Sequence, residues 1–192
     1  MAYAPTVGLT GGMETSYFYD NKTAFNGSIL YTKLGQNYSG VQAGGHAKRG
    51  IKLTYLEVPL MVMKQITVMR FPAWIALGPD VMVLLNANQL YSREGGNALQ
   101  NPEWMASGII TDRFKRVDFA INASVSQFVD LKWYRKTILL LTLNTAIGVT
   151  DINNHEWQIP NSHGVYGRSY NFYMGFKVGL MFEAMRFGVA DW

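Results

Sequence analysis

The chain has 192 residues, a net charge of +4 and 16% charged residues, against roughly 25% in ordinary soluble domains. It has no cysteine, which excludes disulfides and thiolate metal centres. Its basic residues are scattered, so nucleic acid is not an expected partner, and no apolar run reaches the roughly 18 residues of a membrane-spanning helix.

Period-two alternation of apolar and polar residues runs through the chain, the mark of strands whose two faces meet different surroundings. "PTVGLTGGMETSYFY" (5–19) sets Val7, Leu9 and Met13 opposite Thr10, Gly12, Glu14 and Ser16. "SILYTKLGQNY" (28–38) reads as a strand by content, with the face of Lys33 open. "IKLTYLEVPLMVMK" (51–64) places Thr54, Leu56, Val58, Leu60 and Val62 against Ile51, Leu53, Tyr55, Glu57, Pro59, Met61 and Met63. Pro59 has no N–H, so a local break in pairing is expected there. "FPAWIALGPDVMVLLNANQ" (71–89) opposes Ile75, Leu77, Val81, Val83 and Leu85 to Trp74, Ala76, Gly78, Asp80, Met82, Leu84, Asn86 and Asn88. "RVDFAINASVSQFVD" (116–130) opposes Val117, Phe119, Ile121 and Val125 to Asp118, Ala120, Asn122, Ser124 and Ser126. "KTILLLTLNTAIGVTDI" (136–152) resolves into Leu143, Thr145 and Ile147 against Asn144, Ala146 and Gly148. "SYNFYMGFKVGLMF" (169–182) opposes six large apolar residues, Phe172 to Phe182, to Asn171, Tyr173, Gly175, Lys177, Gly179 and Met181.

Seven strands follow. The connections between them alternate: short near 20–26, 65–70 and 131–135; long and polar near 39–50, 90–115 and 152–168. Short turns at one end and long loops at the other are the layout of an outer-membrane barrel. The fold expected is therefore all-β, one domain over 1–192, an up-and-down antiparallel transmembrane β-barrel. Such barrels have an even strand number with both termini on the short-turn side. Seven strands put residue 5 on the wrong side, so eight strands are expected, the N-terminal one missing from this sequence. The start "MAYAPTVGLTGG" lacks a signal peptide's basic and apolar regions, which fits a mature or truncated chain.

The composition of the polar row favours a membrane barrel over a soluble lipocalin-like barrel binding an apolar small ligand. A water-facing row carries Lys, Glu, Thr and Arg. Here it carries Gly, Ser, Asn, Ala and Thr, which suit the crowded interior of a narrow barrel. Six charges fall mid-strand: Glu14, Lys33, Glu57, Asp80, Asp118 and Lys177. All but Lys33 lie on the small, polar row. A lipid-facing Lys or Arg at mid-membrane would cost about 2–4 kcal/mol. Aromatics gather near strand ends as a girdle requires: Tyr17, Phe18, Tyr19, Phe71, Trp74, Tyr91, Trp133, Tyr134, Tyr170 and Phe172.

The candidate site is a luminal polar network of Glu14, Tyr55, Glu57, Asp80, Asp118, Tyr173 and Lys177. Its expected role is structural, with Lys177 pairing with one or more acids inside a filled lumen. His46, His155 and His163 lie in long loops at no metal-ligand spacing. No nucleophile–base arrangement or phosphate cradle is present, so neither an enzyme nor a cofactor is expected. Loop 90–115, with Trp104, Met105, Ile109 and Ile110, either binds a partner or folds over the barrel mouth.

The segments "LYTKLG" (30–35), "YLEVPLMVMK" (55–64) and "ALGPDVMVLL" (76–85), in that order, resemble the PorT-like outer-membrane barrel family of Bacteroidetes. "VDFAINASVS" and "LNTAIGVTDI" (143–152) fit its later pattern. The departures are the absent first strand, Ser28 where an acidic residue is usual, and the run "EAMRFGVADW" past Phe182. The resemblance implies an eight-stranded outer-membrane barrel, and the family's best-known member is linked to type IX protein secretion. The expected function is a structural or partner-binding role, as an accessory of an envelope complex. The expected partners are outer-membrane lipid and other envelope or secretion proteins, met through the long loops.

Overall fold

Alternating sequences of this kind fold as strands, and strands are what the computed structural model contains. It describes residues 2–42, 44–68, 71–97, 106–131, 137–157 and 166–182. The strands are β1 (Ala2–Pro5), β2 (Thr10–Phe18), β3 (Thr23–Gln42), β4 (Gly45–Val68), β5 (Phe71–Glu94), β6 (Gly108–Ile109), β7 (Val117–Asp130), β8 (Thr137–Gly148) and β9 (Phe172–Phe182). All pair antiparallel in one sheet. β1 pairs with Gln36–Ser39 and β2 with Ala24–Thr32 of β3, so together they make one interrupted stave. β6 is a short addition to the loop end of β5. Seven staves thus follow one another in chain order, an up-and-down arrangement. Among the described residues β2 and β9 remain the sheet edges and do not pair with each other, so the barrel is not closed there, and the expected eighth stave is not among them.

The expected faces are found on β4, β7, β8 and β9. On β7, Asp118, Ala120, Asn122, Ser124 and Ser126 are buried, while Val117, Phe119, Ile121 and Val125 are exposed. On β9, Phe172, Met174, Phe176, Val178, Leu180 and Phe182 are all more than half exposed. The apolar rows therefore point out and the small polar rows point in. A soluble barrel enclosing an apolar ligand would have the opposite polarity. β9 has 11 residues, and a tilted strand needs about 9–11 to cross a bilayer. The ladder registers toward β3 skip Val58 and Pro59, the break that the missing proline N–H requires. Gly78 permits a close approach of β4 and β5. A Cβ there would lie 2.0 Å from the Leu60 carbonyl oxygen.

Three expectations need correction. First, 39–50 is not a loop. β3, β4 and β5 run for 20, 24 and 24 residues, about twice a bilayer crossing. Tyr38↔Arg49 and Gln42↔Gly45 continue the β3–β4 ladder, and Gly44 turns it at φ +78°. The glycines read as loop punctuation actually serve a hairpin that continues for about 25 Å at ~3.3 Å per residue. Second, β5 does not keep one alternation to its end. The register shifts opposite Thr54/Tyr55, leaving Leu85 as an extra residue. Beyond this bulge Ala87 and Gln89 turn inward, and Asn86 and Asn88 leave the inner row. Third, Trp74 does not belong to a girdle. It is 6% exposed and stacks on Phe128 at 5.6 Å, while Phe18, 40% exposed on the edge stave, meets it edge-on at 5.5 Å. Tyr91 also lies on an inward row, paired with Arg49. Trp133 and Tyr134 lie outside the described residues.

Lys33 is exposed on the outer face. It pairs with Thr54, which pairs with Asn86. Next toward the membrane, Tyr31, Leu56 and Val83 form an apolar row. Lys33 therefore marks the level at which the outer surface changes from apolar to polar, and its ammonium lies over the Tyr31 ring at 5.7 Å.

Candidate functional site

The inward rows of four staves converge at mid-height on a hydrogen-bonded cluster. β4 contributes Tyr55 and Glu57, β5 Asp80, β7 Asp118 and Asn122, and β9 Tyr173, with Asn171 just before it. Tyr55, Glu57 and Asp80 are fully buried; Asp118 and Asn122 are 1% exposed. The Tyr173 hydroxyl donates to Glu57 Oε2 at 3.0 Å. The Asn122 amide donates to Asp80 Oδ2 at 3.2 Å and reaches the Tyr173 oxygen at 3.4 Å. The Asn171 amide donates to Asp118 Oδ2 at 2.7 Å and to the Tyr55 oxygen at 3.1 Å. Thr150 donates to the other Asp118 oxygen, which also accepts the Phe119 N–H at 2.8 Å. The network therefore ties β4 and β5 to β7 and β9 across the interior, not only along neighbouring ladders.

Lys177 is half-buried on the same inner row of β9. It is close enough to interact through space with both Glu57 and Asp80. Among the described residues it has no carboxylate within 4.0 Å, so the direct partners of the acids are Tyr173, Asn122, Asn171 and Thr150. Four buried atoms facing this layer have no hydrogen-bond partner among the described residues: Thr32 Oγ1, Glu57 Oε1, Asp80 Oδ1 and Asn122 Oδ1. The Thr32 hydroxyl is on the Glu57 side, without hydrogen-bonding geometry. Glu14 stands apart on the exposed edge stave. It accepts from Asn26 at 2.8 Å and Ser28 at 3.4 Å, and so faces inward beside β3.

Asn122, Asn171 and Thr150 join the network although the sequence reading did not single them out. The two asparagines were legible as the amides on inward rows of β7 and β9. Thr150 was not, because its reach depends on how the chain leaves β8.

Apolar clusters lie on either side of the network. Toward the loops, Leu53, Tyr55, Met82, Leu84 and Ala87 pack with Ile110 and Ile152. Ile110, 2% exposed, folds into the mouth while Ile109 is 75% exposed; Trp104 and Met105 lie outside the described residues. Toward the short turns, Trp74 packs with Ala24, Met61, Met63, Ala76 and Phe128.

In the loops, His155 pairs with Asp151 at 3.1 Å and stacks on Tyr166 at 4.8 Å. Asp151 also accepts the Ser169 N–H at 2.9 Å and the Asn153 N–H at 3.2 Å. Partial burial pushes this carboxyl upward, but those hydrogen bonds together hold it below its ordinary value. His46 is exposed on β4, and His163 lies outside the described residues. No group of three metal-ligating side chains occurs among the described residues.

Residues 2–189 match the model of a family described as an outer membrane protein beta-barrel domain. No curated protein and no solved structure matches the chain. The match covers nearly the whole sequence and agrees with the outward apolar rows. The chain belongs to the outer membrane protein beta-barrel domain family and resides in the outer membrane.

Proposed function

We propose that this barrel is neither a pore nor an enzyme. Its lumen is closed by its own side chains, and it serves as a structural or partner-binding accessory of an envelope complex. The transverse network carries this reading. Buried side chains from β4, β5, β7 and β9 meet across the interior between two apolar clusters. Narrow barrels fill their interior in this way. What then remains for interaction is the rim: the β3–β5 extension and the loops between β5 and β7 and between β8 and β9. The ordered segments resembling PorT-like barrels support a finer reading, a Bacteroidetes protein connected with protein secretion. Two measurements test the proposal. Reconstituted into planar bilayers, the protein should give no stepwise conductance, and steady ion-conducting steps would refute a closed lumen. Isolated from the envelope in mild detergent, it should carry stoichiometric envelope proteins with it. A monodisperse protein free of partners would argue against the accessory role.

A further inference from the structure

On the outer face of β3–β5, the outward row continues above Lys33 with Lys52 and then Lys48. Lys52 pairs with Gly35 and Asn88, and Lys48 with Ser39 and Ser92. All three lysines are exposed, and none has a carboxylate within 4.0 Å among the described residues. Above Lys33, the first acid on the outward rows of these strands is Glu94, opposite His46 at the end of the hairpin. The face is therefore a stripe of one sign between neutral side chains, and it gains from an anionic neighbour. Its foot is continuous with the lipid-facing surface. Tyr31, Leu56 and Val83 lie just below it, and the Lys33 ammonium sits over the Tyr31 ring. Its height narrows the kind of neighbour. The pairing with Gly35 and Ser39 puts Lys52 two and Lys48 six residues beyond Lys33, about 7 and 20 Å along strands that rise ~3.3 Å per residue. With strands tilted by about 40°, these become roughly 5 and 15 Å above the boundary. The polar layer of a bilayer leaflet is only about 5–7 Å deep. Lys33 and Lys52 fall within that layer, and Lys48 stands clear of it.

We propose that this stripe binds the headgroup of a phosphorylated glycolipid in the outer leaflet. Long loops mark the outer side of such barrels, so the stripe meets that leaflet. Lys33 and Lys52 hold a phosphate close to the acyl chains. Lys48 holds a second one higher up, with Asn88, Ser39 and Ser92 beside the sugars. The test is lysine acetylation by N-hydroxysuccinimidyl acetate, read residue by residue by mass spectrometry, on the full chain in phosphatidylcholine nanodiscs. The probe is rough lipopolysaccharide, a glycolipid with phosphates on its lipid-bearing sugars and above them. Its incorporation should slow acetylation of Lys33, Lys48 and Lys52 about 5-fold, the gain of one lysine beside an anionic lipid surface. Exposed Lys115, whose N–H bonds to the Ile152 carbonyl beside the β8–β9 loop, should change less than ~2-fold. Equal slowing of Lys115 would show a diffuse field and overturn the site. The same lipid stripped of phosphate by hydrogen fluoride should not protect, and equal protection would overturn phosphate recognition. Phosphatidylglycerol, whose phosphate lies within the ordinary headgroup layer, should protect Lys33 and Lys52 but not Lys48. Equal protection of Lys48 would refute the tall headgroup. These comparisons use the unaltered protein. Lys52→Gln changes an exposed side chain and should fold normally. It should weaken the protection of Lys33 and Lys48, and unchanged protection of both would overturn a shared site.

Discussion

Tyr173→Phe removes one oxygen from the middle of the network. In the native barrel that hydroxyl is a donor to Glu57 Oε2, and Glu57 Oε1 has no partner among the described residues. The variant therefore leaves both oxygens of a fully buried carboxyl unpaired. Leaving such an acceptor unsatisfied costs about 1–3 kcal/mol, so a loss near ~2 kcal/mol is expected. The phenyl ring keeps the packing, and no cavity contribution enters. The Asn122 contact to the same oxygen is long, 3.4 Å, and adds little. The assay is urea unfolding in lipid vesicles, with the folded fraction read from the heat-modifiable gel band. A double-mutant cycle with Glu57→Leu separates the hydrogen bond from other effects. In the Glu57→Leu background the phenol has lost its acceptor, so Tyr173→Phe should be neutral or favourable. A cost below about 0.5 kcal/mol in the native background, or an equal cost in both, would refute the reasoning.

Lys177→Met removes a cation that interacts through space with Glu57 and Asp80. It is half-buried and not in direct contact, so the expected loss is about 1–2 kcal/mol, below that of a broken buried pair. Lys33→Met, at the outer boundary, should change the same unfolding midpoint little; equal effects would mean that Lys177 is not an interior charge. Gly78→Ala should prevent β4 and β5 from closing, because the new Cβ would meet the Leu60 oxygen at 2.0 Å and Met61 Cα at 2.8 Å. Gly11→Ala meets nothing within 4 Å and should fold normally, so two equally stable variants would contradict the close approach. The Asp151 carboxyl is depressed below 3.8. Its stabilisation of the β8–β9 loop is therefore present above that pH and lost as pH falls through the lower folded value. The Ser169 amide resonance should titrate with a midpoint below 3.8, and a midpoint above it would contradict the hydrogen-bonded carboxylate.

The faces of β4, β7, β8 and β9 were readable because burial has a period of two and a membrane barrel inverts which row is apolar. Glu57, Asp80 and Asp118 could be placed inside for the same reason. Their partners could not. Whether an acid meets a lysine or an amide depends on stagger between non-adjacent staves, and no local pattern records stagger. The bulge at Leu85 was hidden because both rows of "MVLLNANQ" are mixed, so a one-residue slip leaves the pattern superficially intact. The hairpin through Gly44 was misread because glycine marks a two-residue turn and a long loop alike. Trp74 shows the converse limit. An aromatic near a strand end suits a girdle, but one residue of parity sends it into the interior.

The central claim is a bilayer-facing outer surface around a packed interior, and β7 tests it most directly because both its neighbours are paired. The chain has no cysteine, so single cysteines can carry nitroxide labels without background. Labels at Phe119, Ile121, Ala123 and Val125 should be accessible to oxygen dissolved in the bilayer. Labels at Ala120, Ser124 and Ser126 should be immobile and shielded from both oxygen and a water-soluble nickel chelate. Nickel access to the inward set would show an open aqueous lumen, and nickel access to the outward set would show a strand that does not face lipid.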